Sequence, residues 1–401
     1  MSRTIRYVCL GALLILCAQS QPNNQLALAS FDQVWQTIQD KHWDPKLNGI
    51  DWQGARKELR PKVESAHTPE EARHHIEALL ERLGHSHVGI IPAAAYTDMD
   101  GGSGQGDAGL RFEIIGGDAV IATGPYSGMV LREVNGRRVR ERIARAKGEL
   151  YAQLAIRNML RGEPGESLEL LLEDEQGKAS STKLELTKPT GKMIRFGELP
   201  PMRLDLIYER LSEQTGYIHI SSFFDPEALE SLLRKATSDC KTCRGIIIDL
   251  RRNPGGLGAL SGGLAGWFLD QSQTLGTCFF RNTQLRIMAN PRPNPFLGKV
   301  AILIDAQSGS TSEIFAGGMK DLKRARIFGR RSAGMALPSA IEKLPTGDGF
   351  QYTTANYISA GGKPLEGLGV EPDVLIEPTR QQLLTGLDAT RLAARQWIEK
   401  E

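Results

Sequence analysis

Apolar residues recur at every third or fourth position through the N-terminal part of the chain, between Phe31 and Leu83. This is the period of amphipathic helices. Thr68 followed by Pro69 has the residue types that begin a helix. The pattern therefore predicts a small helical bundle over residues 21–95.

The hydrophobic period changes beyond this bundle. Residues 96–108 form a Gly- and Asp-rich linker, and residues 109–190 contain short apolar runs separated by Gly and Asn turns, which predicts a β-rich module. Residues 191–378 alternate strand-like runs with helical ones, which predicts an α/β core. Residues 379–401 have the spacing of an amphipathic C-terminal helix. The predicted fold class is mixed α/β.

The first 20 residues have the composition of a secretory signal peptide. Arg3 and Arg6 precede an apolar segment from Val8 to Leu16, and Ala18-Gln19-Ser20 matches a small-x-small cleavage site. The segment is too short to span a membrane. A lipoprotein signal at Cys17 is the alternative, disfavoured because the preceding leucine is bulky. We expect a secreted, periplasmic protein whose membrane contact is limited to the cleaved signal.

Charge and cysteine content narrow the function classes. The signal holds two of the 49 basic residues and none of the 47 acidic ones, so residues 21–401 carry 47 of each sign. With no basic stripe, nucleic-acid binding is not expected. Cys240 and Cys243 can close a small disulfide in an oxidising compartment, which leaves Cys278 single. No second Cys/His pair has zinc-ligand spacing to them, so neither a metal nor another cofactor is expected.

A strand-to-helix turn carries the candidate nucleophile. Val300 to Ile304 is a short β-branched and apolar run, Ile314 to Leu322 has helical spacing, and Ser310 lies at the junction. Backbone N–H groups at a helix start stabilise a developing oxyanion. The same letters, Ser310-Thr-Ser-Glu313, also match a capping box, a purely structural interpretation.

A second turn distinguishes these two interpretations. Residues 245–256 read GIIIDLRRNPGG, a buried strand that runs into a Pro-Gly-Gly turn. Together with GSTSEIFAGG, this stretch resembles the C-terminal-processing (tail-specific) and tricorn-core family of serine peptidases. The resemblance covers nearly all of the chain after the signal. It implies a ClpP/crotonase-like α/β spiral in the core, Ser310 as nucleophile and polypeptides as substrates.

The expected base differs from that of most bacterial members of the family. Those enzymes carry a lysine after a pair of spaced glycines, and Met335 occupies that position here. A thioether cannot accept the proton. The resemblance to the tricorn-like branch implies a tetrad of Ser310, His87, Ser86 and Glu366.

Two of these assignments have rivals. His85-Ser-His87 can suggest metal binding, but no third ligand follows with the usual spacing. His85 is therefore interpreted as a neighbour of the base. Glu371 lies close to Glu366 in sequence and competes for the acidic role.

The remaining site assignments also follow from the resemblance. The oxyanion would be bound by the N–H of Thr311 and by one N–H from Gly255 or Gly256. The β-rich module looks like a PDZ-like module.

Within that module, the loop Gly109-Leu110-Arg111-Phe112 would bind a peptide's terminal carboxylate. A spacer without ligand is the alternative, because the stretch that follows the loop in the family is shortened here.

The sequence predicts a serine endopeptidase that acts on polypeptides, near their C-termini. The alternative is a non-catalytic binding protein for peptides or other ligands on the same scaffold. Because His87 and Ser310 belong to different domains, activity is expected to depend on docking of the bundle. The sequence leaves the oligomeric state open.

Overall fold

The computed structural model describes residues 21–93, 95, 106–146, 148–188, 191–197, 199 and 202–400. The expected signal peptide, and most of the expected linker at 96–108, lie outside these ranges. Across the ranges that are described, no helix combines the length and the apolar character needed to cross a bilayer.

The N-terminal region is helical. It contains α1 (Gln21–Lys41), α2 (Trp52–Glu64) and α3 (Pro69–Glu81). Asp51 caps α2 by accepting the Gly54 N–H, and Thr68 caps α3 by accepting the Glu71 N–H. The apolar faces of the three helices meet in one buried cluster.

This bundle is packed on the α/β core rather than standing apart. Its cluster includes Leu344, Phe350 and Tyr352 from a core hairpin. Directly after α3, strand β1 (Gly89–Ile91) pairs antiparallel with that hairpin. The contact fixes the segment between α3 and β1, which contains the candidate base.

A buried ion pair also joins the bundle to the hairpin. The Arg73 guanidinium donates to the Asp348 carboxylate at 3.0 and 3.3 Å, and the Asp348 side chain is only 6% exposed. Removing the cation leaves a buried carboxylate without its counter-charge.

We therefore expect Arg73→Ala to lower the free energy of unfolding by about 3 kcal/mol. Urea denaturation measures this loss. The matched control is Lys62→Ala, which breaks an exposed pair with Glu58 and should cost much less stability. Equal losses in the two variants would contradict a stabilising contact at the bundle–core boundary.

The middle of the chain is a β-rich module with its own apolar core. Its main sheet has the order β3-β4-β5-β8-β9, β6 pairs with β5, and β2 pairs with β7. Its strands and helices are β2 (Gly106–Asp107), β3 (Phe112–Ile115), β4 (Asp118–Ile121), β5 (Val130–Val134), β6 (Arg137–Arg138), α4 (Val139–Arg145), α5 (Glu149–Met159), β7 (Arg161–Gly162), β8 (Ser167–Glu173) and β9 (Ala179–Glu185).

The C-terminal half contains a six-stranded sheet. The sheet has the order β12-β13-β14-β17-β18-β22 and is parallel except at the β12 edge. Its strands are β12 (Leu206–Arg210), β13 (Thr215–Ile220), β14 (Gly245–Asp249), β17 (Lys299–Ile304), β18 (Arg326–Gly329) and β22 (Val374–Leu375). Central strands β14 and β17 are almost wholly buried, as expected for parallel strands covered on both faces.

Helices and smaller sheets surround this sheet. The helices are α6 (Pro226–Asp239), α7 (Ala259–Ala265), α8 (Thr311–Asp321), α9 (Arg380–Leu384) and α10 (Ala389–Glu399). The remaining strands are β10 (Lys192–Ile194), β11 (Met202–Leu204), β15 (Gln273–Phe280), β16 (Gln284–Ala289), β19 (Ser339–Lys343), β20 (Gly349–Thr353) and β21 (Ala355–Ser359).

The cysteines and the C-terminal segment can be compared with what the sequence predicts. Cys240 and Cys243 form a disulfide, and Cys278 is free and buried.

The prediction of a single C-terminal helix was wrong, because the segment forms two helices. The chain turns at Gly386, whose φ is +67°, and Asp388 caps the second helix.

Candidate active site

Ser310 lies at the expected strand-to-helix junction, in a backbone conformation that is unusual for a serine. Strand β17 ends at Ile304, α8 begins at Thr311, and Ser310 has φ +54° and ψ −118°. A non-glycine residue in this region stores backbone strain, and such strain is concentrated at functional sites. The Ser310 side chain is half-buried.

Asn253 ties this turn to the Pro-Gly-Gly turn. Its backbone carbonyl accepts the Gly309 N–H at 3.0 Å and the Ser312 hydroxyl at 3.0 Å. Its side chain donates to the Ile220 carbonyl at 2.8 Å and accepts the Gly255 N–H at 2.8 Å. Two distant stretches of sequence are thereby held side by side.

The same contacts narrow the candidate oxyanion donors. The Gly255 N–H is already donated to Asn253, so Gly256 is the remaining glycine of the two. Thr311 is the first residue of α8, so its N–H has no acceptor within the helix. Gly255 has a steric role, because a Cβ there would lie 2.6 Å from the Ser310 Cβ.

Ser86, His87 and Glu366 form a hydrogen-bonded chain. The Ser86 hydroxyl lies 2.9 Å from Glu366 Oε2 and 2.8 Å from His87 Nδ1, and the Ser86 N–H donates to Glu366 Oε1 at 2.8 Å. The single hydroxyl proton of Ser86 is directed to the carboxylate, so His87 Nδ1 carries a proton and donates to Ser86. His87 Nε2 is then left with the lone pair of a base.

One peptide group connects this chain to the candidate nucleophile. The Ser310 N–H donates to the Met335 carbonyl at 2.7 Å, and the N–H of that same peptide group, which belongs to Ala336, donates to Glu366 Oε2 at 3.0 Å. The structure therefore brings Ser310, Ser86, His87 and Glu366 into one neighbourhood, although Ser86 and Glu366 are 280 residues apart.

The environment of His87 keeps its imidazole neutral. Burial lowers the pKa of His87, and the nearby Glu366 charge opposes this effect. A neutral imidazole at working pH is the form that accepts a proton.

The rival residues line the same cavity as Ser86 and Glu366 but bond to other partners. Glu371 forms an exposed ion pair with Arg331. His85 stacks on His42, with ring centroids 5.4 Å apart, and its Nε2 lies 3.1 Å from the Asn48 amide nitrogen. Among the described residues, no group of three or more His, Cys, Asp or Glu side chains is arranged to hold a metal ion.

A cavity of about 1190 Å³ lies beside the relay. Its wall comes from all three parts of the chain: several residues between 77 and 90, which include Ser86 but not His87, residues 148–151 of the β-rich module, and core residues that include Met335 and Glu366. A space of this size accommodates an extended peptide segment. The Met335 side chain contributes to this wall and supplies no titratable group.

The expected carboxylate-binding loop of the β-rich module is partly committed to internal contacts. The Gly109 N–H donates to Asp107 Oδ1 at 2.6 Å, and the Arg111 carbonyl accepts the Ala122 N–H at 2.7 Å. Leu110 and Phe112 pack in the apolar core of the module.

A buried ion pair joins the module to the core. It links Glu113 of the module to Arg330 of the core at 2.8 Å.

Sequence reasoning missed two residues that organise the site. Asn253 directly precedes the Pro-Gly-Gly turn, but its position in the motif does not predict its four hydrogen bonds. Glu313 was interpreted only as a cap, and it does accept the Ser310 N–H at 3.1 Å as a capping box requires. Its further contacts come from residues 332–335, and the available signal was an acidic residue directly before the apolar run of the helix, residues 314–319.

Comparisons with known proteins identify two family models that match parts of the chain. The family model described as Peptidase family S41 matches residues 214–376, and the model described as Tricorn protease C1 domain matches residues 28–80. The chloroplastic C-terminal processing peptidase of Tetradesmus obliquus is 24% identical over 381 residues, which cover 90% of this chain and 79% of that protein. A probable CtpA-like serine protease of Staphylococcus haemolyticus is 27% identical over 231 residues, which cover 57% of this chain and 43% of the relative.

Solved structures share the fold. A photosystem II D1 C-terminal processing protease superimposes with a TM-score of 0.62 at 21% identity, covering 92% of this chain and 98% of the other. The tricorn protease gives a TM-score of 0.55 at 19% identity, covering 94% of this chain and 37% of that one. Mature CPAF complexed with lactacystin gives a TM-score of 0.67 at 15% identity, covering 94% of this chain and 100% of the other. The mixed α/β fold class expected from the sequence is confirmed.

Proposed function

Since the chain belongs to the C-terminal-processing and tricorn-core serine peptidases of family S41, we propose that it hydrolyses polypeptides with Ser310 as nucleophile and His87 as base. The observation that carries this proposal is the chain from Glu366 through Ser86 to His87, which is joined to Ser310 through the Met335–Ala336 peptide group. The position of the family's lysine is occupied by Met335, so the proton must go elsewhere, and we assign it to the His87 imidazole.

The reaction follows the usual course of acyl transfer. Ser310 Oγ attacks the peptide carbonyl while its proton moves to His87 Nε2, and the N–H groups of Thr311 and Gly256 stabilise the oxyanion. His87 then protonates the leaving amine as the C–N bond breaks, which leaves an ester on Ser310. Water, deprotonated by His87, then attacks this ester; as the bond to Ser310 Oγ breaks, His87 returns the proton to that oxygen and the acid is released. Glu366, acting through Ser86, orients the ring and stabilises its protonated form.

Two features support action outside the cytoplasm. Residues 1–20 have the composition of a secretory signal. The Cys240–Cys243 disulfide independently favours an oxidising compartment. We propose export to the periplasm.

The β-rich module is proposed to be PDZ-like and to bring a free C-terminus to the cavity. Its exposed ligand groups would be the loop at 109–112, with the Gly109 N–H released from Asp107 on binding. Matched peptides with a free carboxylate and with a C-terminal amide test this point. Faster cleavage of the free acid is expected, and equal rates would contradict carboxylate recognition.

The rate should depend on pH through His87. The base must be neutral, so kcat/KM rises as pH rises through the pKa of His87, which burial holds below the ordinary value of about 6.5. Activity is therefore expected to persist into mildly acidic pH. Glu366→Gln removes the charge that raises this pKa, so its profile should have a lower plateau and an acid limb shifted to lower pH. An unshifted limb would contradict the assignment to His87.

A fluorophosphonate probe tests the proposed function. The purified protein should be labelled, mass spectrometry should locate the adduct on Ser310, and EDTA should not change the labelling. A folded wild-type protein that neither reacts with the probe nor cleaves unfolded polypeptides would instead be a binding protein on this scaffold.

A further inference from the structure

Glu313 is a buried carboxyl group that the proposed chemistry does not use. The residue is fully buried and accepts four hydrogen bonds, two on each oxygen. Oε1 accepts the Ser332 hydroxyl at 2.6 Å and the Gly334 N–H at 2.7 Å. Oε2 accepts the Met335 N–H at 2.8 Å and the Ser310 N–H at 3.1 Å.

A helix cap alone does not explain this arrangement. A capping carboxylate bonds to the start of its own helix, and here only the Ser310 contact is of that kind. The other three donors belong to residues 332–335. This segment follows strand β18, which lies next to β17 in the sheet. Burial raises the pKa of Glu313 to about 7 even with these donors in place. Burying a carboxyl group is unfavourable, so its four hydrogen bonds must offset the lost hydration.

The contacts form a closed ring around the nucleophile. The Ser310 N–H donates both to Glu313 and to the Met335 carbonyl, and the Met335 N–H donates back to Glu313. The next peptide, at Ala336, contacts Glu366. The carboxylate therefore sets the distance between the serine peptide and the segment that contacts the base relay.

We propose that Glu313 is a positioning residue, which holds the Ser310 backbone against residues 332–336 so that the hydroxyl stays aligned with His87. The inference rests on the proposed function, because it assigns Glu313 a part in the same reaction. Glu313 acts through the peptide groups of Ser310 and Met335, and it exchanges no proton with substrate.

Glu313→Gln is the most direct test. A carboxylate offers acceptors on both oxygens, whereas glutamine replaces one oxygen with an NH2 donor. That NH2 would face the donors of Gly334 and Ser332, or those of Met335 and Ser310. We expect the labelling rate with fluorophosphonate and the kcat for peptide hydrolysis, each per folded molecule, to fall by about 100-fold. A small misplacement of the reacting groups can cause a loss of this size. KM should stay within about threefold, since the cavity wall is intact.

Two further variants separate positioning from stability. Ser332→Ala removes one donor to Glu313 and should lower both rates by about threefold to tenfold per folded molecule. Asp321→Asn makes the same type of change at the other end of α8, where the carboxylate accepts the Gly361 N–H, and should leave both rates unchanged. The folded fraction of each variant is measured by circular dichroism.

The outcomes are distinguishable. Wild-type rates per folded molecule in Glu313→Gln and Ser332→Ala, with only lower thermal stability, would overturn the positioning role. If Glu313→Gln does not fold, the rate of Ser332→Ala decides in the same way. Failure of the wild-type protein to label at Ser310 would overturn the proposed function and this inference with it.

Discussion

Replacing Ser310 with alanine is expected to abolish both peptide hydrolysis and fluorophosphonate labelling. Removal of a nucleophile from an acyl-transfer site lowers kcat on the order of 10⁴- to 10⁶-fold. The fold should persist, because the turn is held by backbone contacts to Asn253, Met335 and Glu313. Mass spectrometry of peptide products and thermal unfolding of the same sample measure the two effects.

Ser312→Ala is the matched control for this experiment. Its hydroxyl lies two residues along the same helix start and donates to the buried Asn253 carbonyl. The control should lose about 1 kcal/mol of stability while keeping the Ser310 adduct. Substantial hydrolysis by Ser310→Ala would show that another nucleophile is at work.

Replacing His87 with alanine is the second large effect. We expect kcat to fall on the order of 10⁴-fold, with labelling of Ser310 reduced in parallel, because the hydroxyl loses its proton acceptor. Nucleophile and base act as one unit. The Ser310→Ala/His87→Ala double variant should therefore be no slower than Ser310→Ala alone.

His74 supplies the control for the imidazole. It is an exposed histidine on α3, so His74→Ala should retain the wild-type rate. A His87→Ala protein with normal kcat would exclude the imidazole as base. Additive losses in the double variant would show that the two side chains act independently.

Much of the candidate site was predictable because two long motifs specify backbone turns. The strand-to-helix junction at Ser310 and the Pro-Gly-Gly turn at Gly255 are local features, so residue type and period predict them. The alignment that puts Met335 in the lysine position excluded an amine base and directed attention to His87. These predictions needed no knowledge of which segments meet in space.

What the sequence did not predict depends on contacts between distant segments. The four contacts of Asn253 and the burial of Glu313 follow from packing of β14, β17 and residues 332–335, and periodicity contains no information on that packing. The sequence also does not show which of the two glycines, Gly255 or Gly256, has its N–H bonded to another residue. The break in the C-terminal segment was missed since helical spacing continues across the turn at Gly386.

The most direct measurement is a crystal structure of the enzyme inactivated by a fluorophosphonate. The expected result is a covalent bond to Ser310 Oγ, with a phosphonyl oxygen within hydrogen-bond distance of the Thr311 and Gly256 N–H groups. His87 Nε2 should lie about 3 Å from the phosphonylated Ser310 Oγ or from the leaving-group position. An adduct on another residue would contradict this placement. So would an imidazole remote from Ser310 while the bundle remains docked on the core.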